Sequence, residues 1–271
     1  MAQTLSPKPG PSGGDRSAQG SSGDGPARGP VTGTALASST PKRRAPFPVE
    51  LYRSALGKKY VMAVTGIIWM GFVLTHMIGN LKSFLGPADF DHYAEFLREL
   101  LVPILPRTVV LWLLRLTLIA AIALHIHAAT TLTIMNRKAR PVRYQSPRDY
   151  VAATFASRTM RYTGVLVLLF LFVHLGDLTW GWFNPGFTRG DAYRNLDASL
   201  SRWWMNLFYI VCNLALFLHL WHGGWSLFQS LGWNNPRFNR TRRWFALGFA
   251  GIVVAGNIGI CIGVLSGVIG L

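Results

Sequence analysis

Four histidines and both cysteines of this chain lie within long apolar stretches, where side chains that bind metals are unusual. These six residues are His76, His125, His174, His219, Cys212 and Cys261. Ionisable groups inside a membrane are costly, and where they occur they are usually functional. Imidazole and thiolate groups are the protein ligands of iron in haem proteins and iron–sulfur proteins. The pattern therefore predicts metal centres that move electrons within a membrane.

The composition is typical of an integral membrane protein, because half of the 271 residues are hydrophobic and only 14% are charged. Five apolar stretches have about the 20 residues that a helix needs to cross the hydrocarbon core. They are residues 60–79, 109–135, 162–182, 203–228 and 244–271. Since the core contains no water to satisfy backbone groups, each stretch is predicted to be a closed α-helix. The predicted fold class is an all-α integral membrane protein with five transmembrane helices in a bundle.

The first 45 residues differ in composition from the rest of the chain. They are rich in glycine, serine and proline and show no apolar periodicity, which predicts a disordered tail. They contain no apolar core of a signal peptide, so cleavage during secretion is not expected. The predicted organisation is a tail at residues 1–45 and a five-helix transmembrane redox unit at residues 46–271.

The net charge of +16 is unevenly distributed along the chain. If the helices alternate in direction, basic residues within 41–59, 137–161 and 237–243 lie on one side of the membrane, and few lie on the other. The positive-inside rule then predicts a cytoplasmic N-terminus. The basicity thus reflects membrane topology, with no indication of nucleic-acid binding. Part of it is also a candidate docking face for an acidic cytoplasmic partner.

Two depth layers of candidate ligands follow from a helical rise of about 1.5 Å per residue. The deeper layer, roughly 20 to 27 Å from the cytoplasmic helix ends, contains His76, His174, Cys212 and Cys261. The shallower layer, about 15 to 18 Å deep, contains His125 and His219. Taken singly, an intramembrane histidine is often a hydrogen-bonding residue between helices, and a buried cysteine is often a small apolar side chain. Four histidines on four helices in two layers favour metal binding.

The remaining histidines have less specific expectations. His127 is two residues from His125, so the two rings point to different faces and only one faces the bundle. His222 lies one turn from His219 and is an alternative ligand, or a hydrogen-bond donor to a haem propionate or lipid phosphate. His92 lies in an amphipathic interfacial segment (residues 90–106) and is expected at the surface.

Four sequence blocks resemble one known family over about residues 50–271. They are TGIIWMGFVLTHMIGNLKSF, LHIHAATTLTIMNRKARPVRY, SRTMRYTGVLVLLFLFVHL and FLHLWHGGWSLFQSLGWNNPR. The chain resembles the single-chain, five-helix cytochrome b membrane anchor of succinate dehydrogenase (succinate:quinone oxidoreductase) and fumarate reductase, which form respiratory complex II. The HGGWSLFQSLGWNNP and NRKARP blocks are the specific ones, since hydropathy alone would not produce them.

The resemblance implies an enzyme subunit of the respiratory chain in a bacterial cytoplasmic membrane. Such an anchor holds a flavoprotein subunit, which oxidises succinate, and an iron–sulfur subunit, and it passes electrons to a quinone, expected here to be menaquinone. In the two-haem form of the family, residues matching His125 and His219 bind the haem b nearer the cytoplasm. Those matching His76 and His174 bind the outer haem.

The two cysteines depart from the two-haem pattern, because they fall in the same predicted layer as His76 and His174. Two thiolates and two imidazoles are the ligand set of a Rieske-type [2Fe–2S] cluster. The type F branch of this family is understood to carry such a cluster in the membrane. The favoured expectation is therefore a Rieske-type cluster at His76, His174, Cys212 and Cys261, with His125 and His219 binding a haem b. The alternative is a second haem b at His76 and His174, with both cysteines as packing residues.

Two charged residues near the outer helix ends are also candidates for function. Asp177 lies one turn beyond His174 and is a candidate proton carrier to the quinone, or a partner of the His174 ring; the alternative is an exposed interfacial aspartate. Arg115 either extends outward to the interface or pairs with a haem propionate or with Asp177.

Three other functions remain open from the sequence. A transporter could use the histidines as a proton relay, although no inverted repeat is evident. A structural anchor could carry vestigial metal sites. A b-type cytochrome could accept electrons from a donor other than succinate, and the fumarate reductase direction is equally compatible with the chain.

Overall fold

The computed structural model describes residues 46–139, 155–233 and 235–271, so the predicted tail and the loop at 140–154 lie outside the described residues. The described residues form α-helices joined by turns and two short 3-10 helices, Leu81–Leu85 and Pro236–Phe238, and they contain no strand. The α-helices are α1 (Phe47–Arg53), α2 (Ala55–Asn80), α3 (Pro87–Arg98), α4 (Val109–Lys138), α5 (Phe155–Leu178), α6 (Ala192–Leu200), α7 (Trp203–Ser230) and α8 (Asn239–Leu265).

Five of these helices, α2, α4, α5, α7 and α8, are long and apolar enough to cross a membrane. The predicted fold class is confirmed. The helices alternate in direction, so α2, α5 and α8 begin at one end of the bundle, which we call the basal end, and α4 and α7 begin at the other, the distal end. Basic residues occupy the basal end of α4, where Arg137 and Lys138 form its last turn, and such residues favour a helix C-terminus.

Two helices end earlier than the apolar pattern predicts. α5 stops at Leu178, not at residue 182, and α8 stops at Leu265, not at residue 271. In both cases a glycine with positive φ follows, Gly181 at 73° and Gly267 at 74°. Glycine adopts this left-handed conformation without steric penalty and commonly terminates helices. Hydropathy alone misses these ends because the residues after each glycine are still apolar.

The distal end carries two short helices. The helix at the predicted amphipathic segment (residues 90–106) runs from Pro87 to Arg98, and the residues after it form turns. Proline is a favoured residue at a helix start. Asp91 of α3 accepts hydrogen bonds from the backbone N–H groups of Ala192 and Tyr193 at 2.8 and 3.0 Å. This carboxylate satisfies two N–H groups at the start of α6 that no helical carbonyl reaches, and so it links the two short helices.

Small and amide side chains hold the long helices together. α7 packs along α8, α2 along α4, and α5 along α7. A Cβ added at Gly224 would lie 3.2 Å from the Cβ of Ala246, so glycine allows α7 and α8 to approach closely. Deeper in the same interface, the Asn257 amide donates a hydrogen bond to the Asn213 side-chain oxygen at 3.0 Å. Hydrogen bonds of this kind stabilise helix pairs where no water competes.

The short helix α1 is held against the basal end by a close backbone contact. A Cβ added at Gly57 would lie 1.9 Å from the carbonyl oxygen of Leu51. Across this joint the Lys58 ammonium donates to the Tyr52 carbonyl at 2.8 Å. The Tyr52 hydroxyl in turn lies 2.5 Å from Nδ1 of His127 on α4. Gly57 therefore lets one polar chain connect α1, α2 and α4.

Replacing Gly57 by alanine is expected to displace α1, because the new methyl group would meet a backbone atom that cannot rotate away. Overpacking of this kind costs typically about 1–3 kcal/mol. Limited digestion with trypsin should show faster cleavage after Arg53 than in the parent chain. Gly71→Ala is the matched control, since it lies on the same helix and its added Cβ would meet nothing within 4 Å. Equal cleavage rates in the two variants would contradict this account of the joint.

Candidate functional site

The deeper predicted layer contains a contact between two histidine rings. The ring centres of His76 on α2 and His174 on α5 lie 5.8 Å apart, and the ring planes are nearly perpendicular at 89°. Phe72 stacks on His76 at 5.1 Å, and Phe170 lies 5.5 Å from His174. The two imidazoles thus face each other across the bundle between aromatic side chains.

The shallower predicted layer contains a second histidine pair. The ring centres of His125 on α4 and His219 on α7 lie 6.5 Å apart at an interplanar angle of 57°. His127 points the other way and stacks on Tyr52 with ring centres 5.8 Å apart. The prediction that only one of His125 and His127 faces the bundle is confirmed. The ring opposite His125 belongs to His219, so His222 does not take that place in the pair.

Each histidine of the shallower pair has a buried threonine at its Nδ1 atom. The hydroxyl oxygen of Thr65 on α2 lies 3.0 Å from Nδ1 of His125. That of Thr163 on α5 lies 3.5 Å from Nδ1 of His219. Both threonine residues are only 4% exposed. These contacts position the two rings from the neighbouring helices.

The two cysteines do not join His76 and His174. Both are buried and carry free thiols, and Cys261 packs in an apolar cluster with Tyr209, Ile260 and Val264. Among the residues that the structure describes, no group of three or more histidine, cysteine, aspartate or glutamate side chains could hold one metal ion. The expected four-ligand set of His76, His174, Cys212 and Cys261 is therefore not supported. The four residues share a predicted layer, but depth along a helix does not fix the direction in which a side chain points.

Asp177 lies in a buried polar network at the distal end of α5. The carboxylate is fully buried, so the alternative of an exposed interfacial aspartate is wrong. Arg202 forms an ion pair with it at 2.7 Å, and the Ser199 hydroxyl donates to it. The Tyr209 hydroxyl lies 3.3 Å from the same carboxylate and 3.4 Å from Nδ1 of His174. This network connects the distal surface to the His76–His174 pair.

Arg115 does not take part in this network. Its guanidinium carbon lies 5.1 Å from the ring centre of Trp112, and the side chain is exposed on α4. Within the described part of the chain, the ion-pair partner of Asp177 is Arg202. Of the expectations for Arg115, pairing with Asp177 is therefore wrong.

The sequence analysis missed the two threonines, although a repeated pattern marks them. Residues 62–76 and 160–174 both have the form Met-x-x-Thr-Gly-x9-His. Threonine and histidine are 11 residues apart, which is about three helical turns, so both lie on one face of the helix. On α2 and on α5 the threonine contacts the His125–His219 pair and the later histidine belongs to the His76–His174 pair. The repeat runs in the same direction on both helices.

The two histidine pairs fit the ligands of two haem groups better than those of an iron–sulfur cluster. Two imidazoles that bind opposite faces of one iron have ring centres roughly 6 Å apart, given metal–nitrogen bonds of about 2 Å. The distances of 5.8 and 6.5 Å match this value. Each pair also joins helices on facing sides of the bundle, which is where helical bundles hold cofactors. No thiolate is placed to complete a Rieske-type ligand set among the described residues.

Fold and site together define a helical membrane protein with two histidine pairs between its helices, at two depths. Residues 133–257, a little under half of the chain, match a family model described as the succinate dehydrogenase/fumarate reductase transmembrane subunit. The matched part includes His174 and His219, while His76 and His125 precede it. This match supports the resemblance to the cytochrome b anchor family. Comparisons with curated proteins and with solved structures gave no match.

Proposed function

We propose that this chain is the membrane anchor subunit of a succinate:quinone oxidoreductase, which passes electrons from a cytoplasmic iron–sulfur subunit to a quinone in the membrane. The observation that carries the proposal is the arrangement of four histidines in two facing pairs at two depths. The family match over residues 133–257 supports the same assignment. Succinate itself would bind to the flavoprotein subunit.

The proposed cofactors are two haem b groups, one held by His125 and His219 and one by His76 and His174. Haem b supplies a one-electron carrier when it is bound at each pair. The 11-residue spacing between Thr65 and His76 separates the two levels by roughly 16 Å along the helix axis. The protein's contribution is to hold each pair of imidazoles on rigid helices and to surround them with apolar side chains that exclude water.

The basal end of the bundle is the proposed docking face for the flavoprotein and iron–sulfur subunits. Arg237, Arg240 and Arg243 are exposed at the start of α8, and Arg137 and Lys138 are exposed at the end of α4. This positive surface suits an acidic partner. It also suits the inner face of a bacterial cytoplasmic membrane, so the proposed topology places the N-terminus in the cytoplasm.

The distal end offers a place for the quinone and its protons. An apolar cleft of about 280 Å³ opens there between α5 and α7, lined by Val173, Phe183, Trp204, Met205 and Phe208. Pockets for small molecules are largely apolar with a few polar groups that set orientation. Reduction of a quinone such as menaquinone consumes two electrons and two protons, and Asp177 follows Val173 of the cleft by one turn of α5.

Asp177 is the proposed proton-route residue at this cleft. The Tyr209 hydroxyl connects its carboxylate to His174. Protons would pass between the distal surface and the quinone along these oxygen atoms. Arg202 holds the carboxylate in place through the ion pair.

Purification through a tag on this chain, co-expressed with its partner subunits, tests the proposal. We expect the flavoprotein and the iron–sulfur subunit to copurify, about two b-type haems per anchor, and succinate-dependent reduction of a menaquinone analogue. A chain that binds no iron and copurifies with no partner would favour the transporter. Intact quinone reduction in His76→Ala would favour a structural anchor with vestigial sites.

A further inference from the structure

We infer that Thr65 and Thr163 are positioning residues, which hold His125 and His219 with the proton on Nδ1 and so leave Nε2 as the nitrogen that binds iron. The inference rests on the proposed haem between these two histidines. It assigns a role to a repeated Thr-Gly dipeptide that neither the family match nor the apolar pattern explains.

The direction of the hydrogen bonds follows from the partners of the threonine hydroxyl groups. The Thr65 hydroxyl lies 2.7 Å from the carbonyl oxygen of Val61 and 3.2 Å from that of Met62. Carbonyl oxygens only accept, so the single hydroxyl proton of Thr65 is used there. With the hydroxyl proton so placed, the oxygen accepts from Nδ1 of His125 at 3.0 Å, and the Met62 backbone carbonyl is a second acceptor for the same ring. The same reasoning applies to Thr163, which donates to the Met160 carbonyl at 3.0 Å.

A proton on Nδ1 decides which nitrogen is available to a metal. In a neutral imidazole one nitrogen carries the proton and the other carries the lone pair. When Nδ1 donates to an oxygen atom, Nε2 retains the lone pair, and the hydrogen bond also makes the imidazole a more basic ligand. Thr65 and Thr163 thus favour the tautomer with the proton on Nδ1 and orient the two rings, together with the backbone carbonyls of Met62 and Met160.

The glycine after each threonine has no side chain that would crowd the histidine ring. A Cβ added at Gly164 would lie 3.4 Å from Cε1 of His219, and one added at Gly66 would lie 3.9 Å from Cε1 of His125. Each imidazole therefore contacts a Thr-Gly dipeptide of a neighbouring helix. Its Nδ1 atom lies next to the threonine hydroxyl, and its Cε1 atom lies next to the glycine. The dipeptide of α2 positions the His125 ring, and that of α5 positions the His219 ring.

The two contacts differ in strength. The Thr65 contact of 3.0 Å lies within the normal range for hydrogen bonds, whereas the Thr163 contact of 3.5 Å is longer than that range. The effect of removing the Thr65 hydroxyl should therefore exceed that of removing the Thr163 hydroxyl. This order is specific to a hydrogen-bonding role, since both residues are equally buried.

The test compares Thr65→Val, which has nearly the same shape and lacks the hydroxyl, with Thr65→Ser, which keeps it. Haem loss is measured by transfer from the purified complex to apomyoglobin, and the haem midpoint potential by redox titration. We expect Thr65→Val to weaken haem binding at this site by about 10- to 100-fold and to raise its potential, because the imidazole becomes a poorer donor to ferric iron. Thr65→Ser should retain the parent values.

Thr75→Val is the matched control, since Thr75 is on the same helix and its hydroxyl bonds only to the helix's own carbonyls at 3.1 Å among the described contacts. Parent-like haem affinity and potential in Thr65→Val would overturn the inference. If that variant does not accumulate, the Thr163→Val and Thr163→Ser pair decides it, with a smaller loss of haem affinity expected in Thr163→Val than the one given for Thr65→Val. A parent complex without haem at His125 and His219 would overturn the proposed function itself, whereas two haems that are indifferent to both threonines would overturn this inference alone.

Discussion

Replacing His219 by alanine is expected to remove about one of the two b-type haems from the chain and to abolish succinate-dependent quinone reduction. The His125–His219 pair lies between the basal docking face and the deeper pair, so its loss interrupts the proposed electron path. His219 would supply one of the two imidazoles that hold the haem at this pair, so its removal would leave only His125 to hold it. The haem content of the purified complex, measured as a pyridine haemochrome, should fall from about two to about one.

His222→Ala provides the control for this experiment. His222 lies on the same helix, one turn away, and is a half-buried histidine outside the ring pair. We expect this variant to keep both haems and most of its activity. Loss of haem in His222→Ala together with retention in His219→Ala would mean that the ligand has been assigned to the wrong histidine.

Replacing Arg202 by alanine is expected to cause a large loss of stability. The Asp177 carboxylate is fully buried and its charge is balanced by Arg202 at 2.7 Å. Removing one member of a buried ion pair leaves an uncompensated charge and costs typically about 3–5 kcal/mol. Arg202 also donates to the Phe183 carbonyl at 2.5 Å, so the loop after α5 should loosen as well. Thermal unfolding of the detergent-solubilised complex measures the loss.

The double variant Arg202→Met/Asp177→Asn separates charge balance from packing. An amide in place of the carboxylate needs no counter-charge, so this variant should recover much of the lost stability. Arg194→Ala, an exposed position on α6, should change stability by less than about 0.5 kcal/mol. If Arg202→Ala unfolded at the same temperature as Arg194→Ala, the ion pair would have no structural importance.

The level of each histidine along the bundle could be predicted from the sequence, whereas the direction in which each side chain points from its helix could not. A helix advances by a constant rise per residue, so counting from basic helix ends correctly placed His76 beside His174 and His125 beside His219. The same counting placed Cys212 and Cys261 in the deeper layer, but their side chains do not complete a metal site there. The rotation of a helix depends on its packing partners, which hydropathy does not specify.

The ion pair of Asp177 could not be predicted from the sequence either. Its ion-pair partner, Arg202, is 25 residues away, after a loop and the short helix α6. Pairing over such a separation depends on how the loop folds back, and the apolar pattern ends before it. The Thr-Gly repeat was visible in the sequence, but its meaning appears only when the threonines are seen next to histidines of other helices.

The most direct test of two bis-histidine haems is a pair of spectra of the dithionite-reduced complex, optical and EPR, recorded for the parent and for Cys212→Ala/Cys261→Ala. The account predicts the absorption of two b-type haems in both, unaffected by loss of the thiols. An EPR signal with a mean g value near about 1.9, characteristic of histidine-ligated [2Fe–2S] clusters, that is present in the parent and lost in the cysteine variant would contradict it. That result would establish a Rieske-type cluster at the deeper layer.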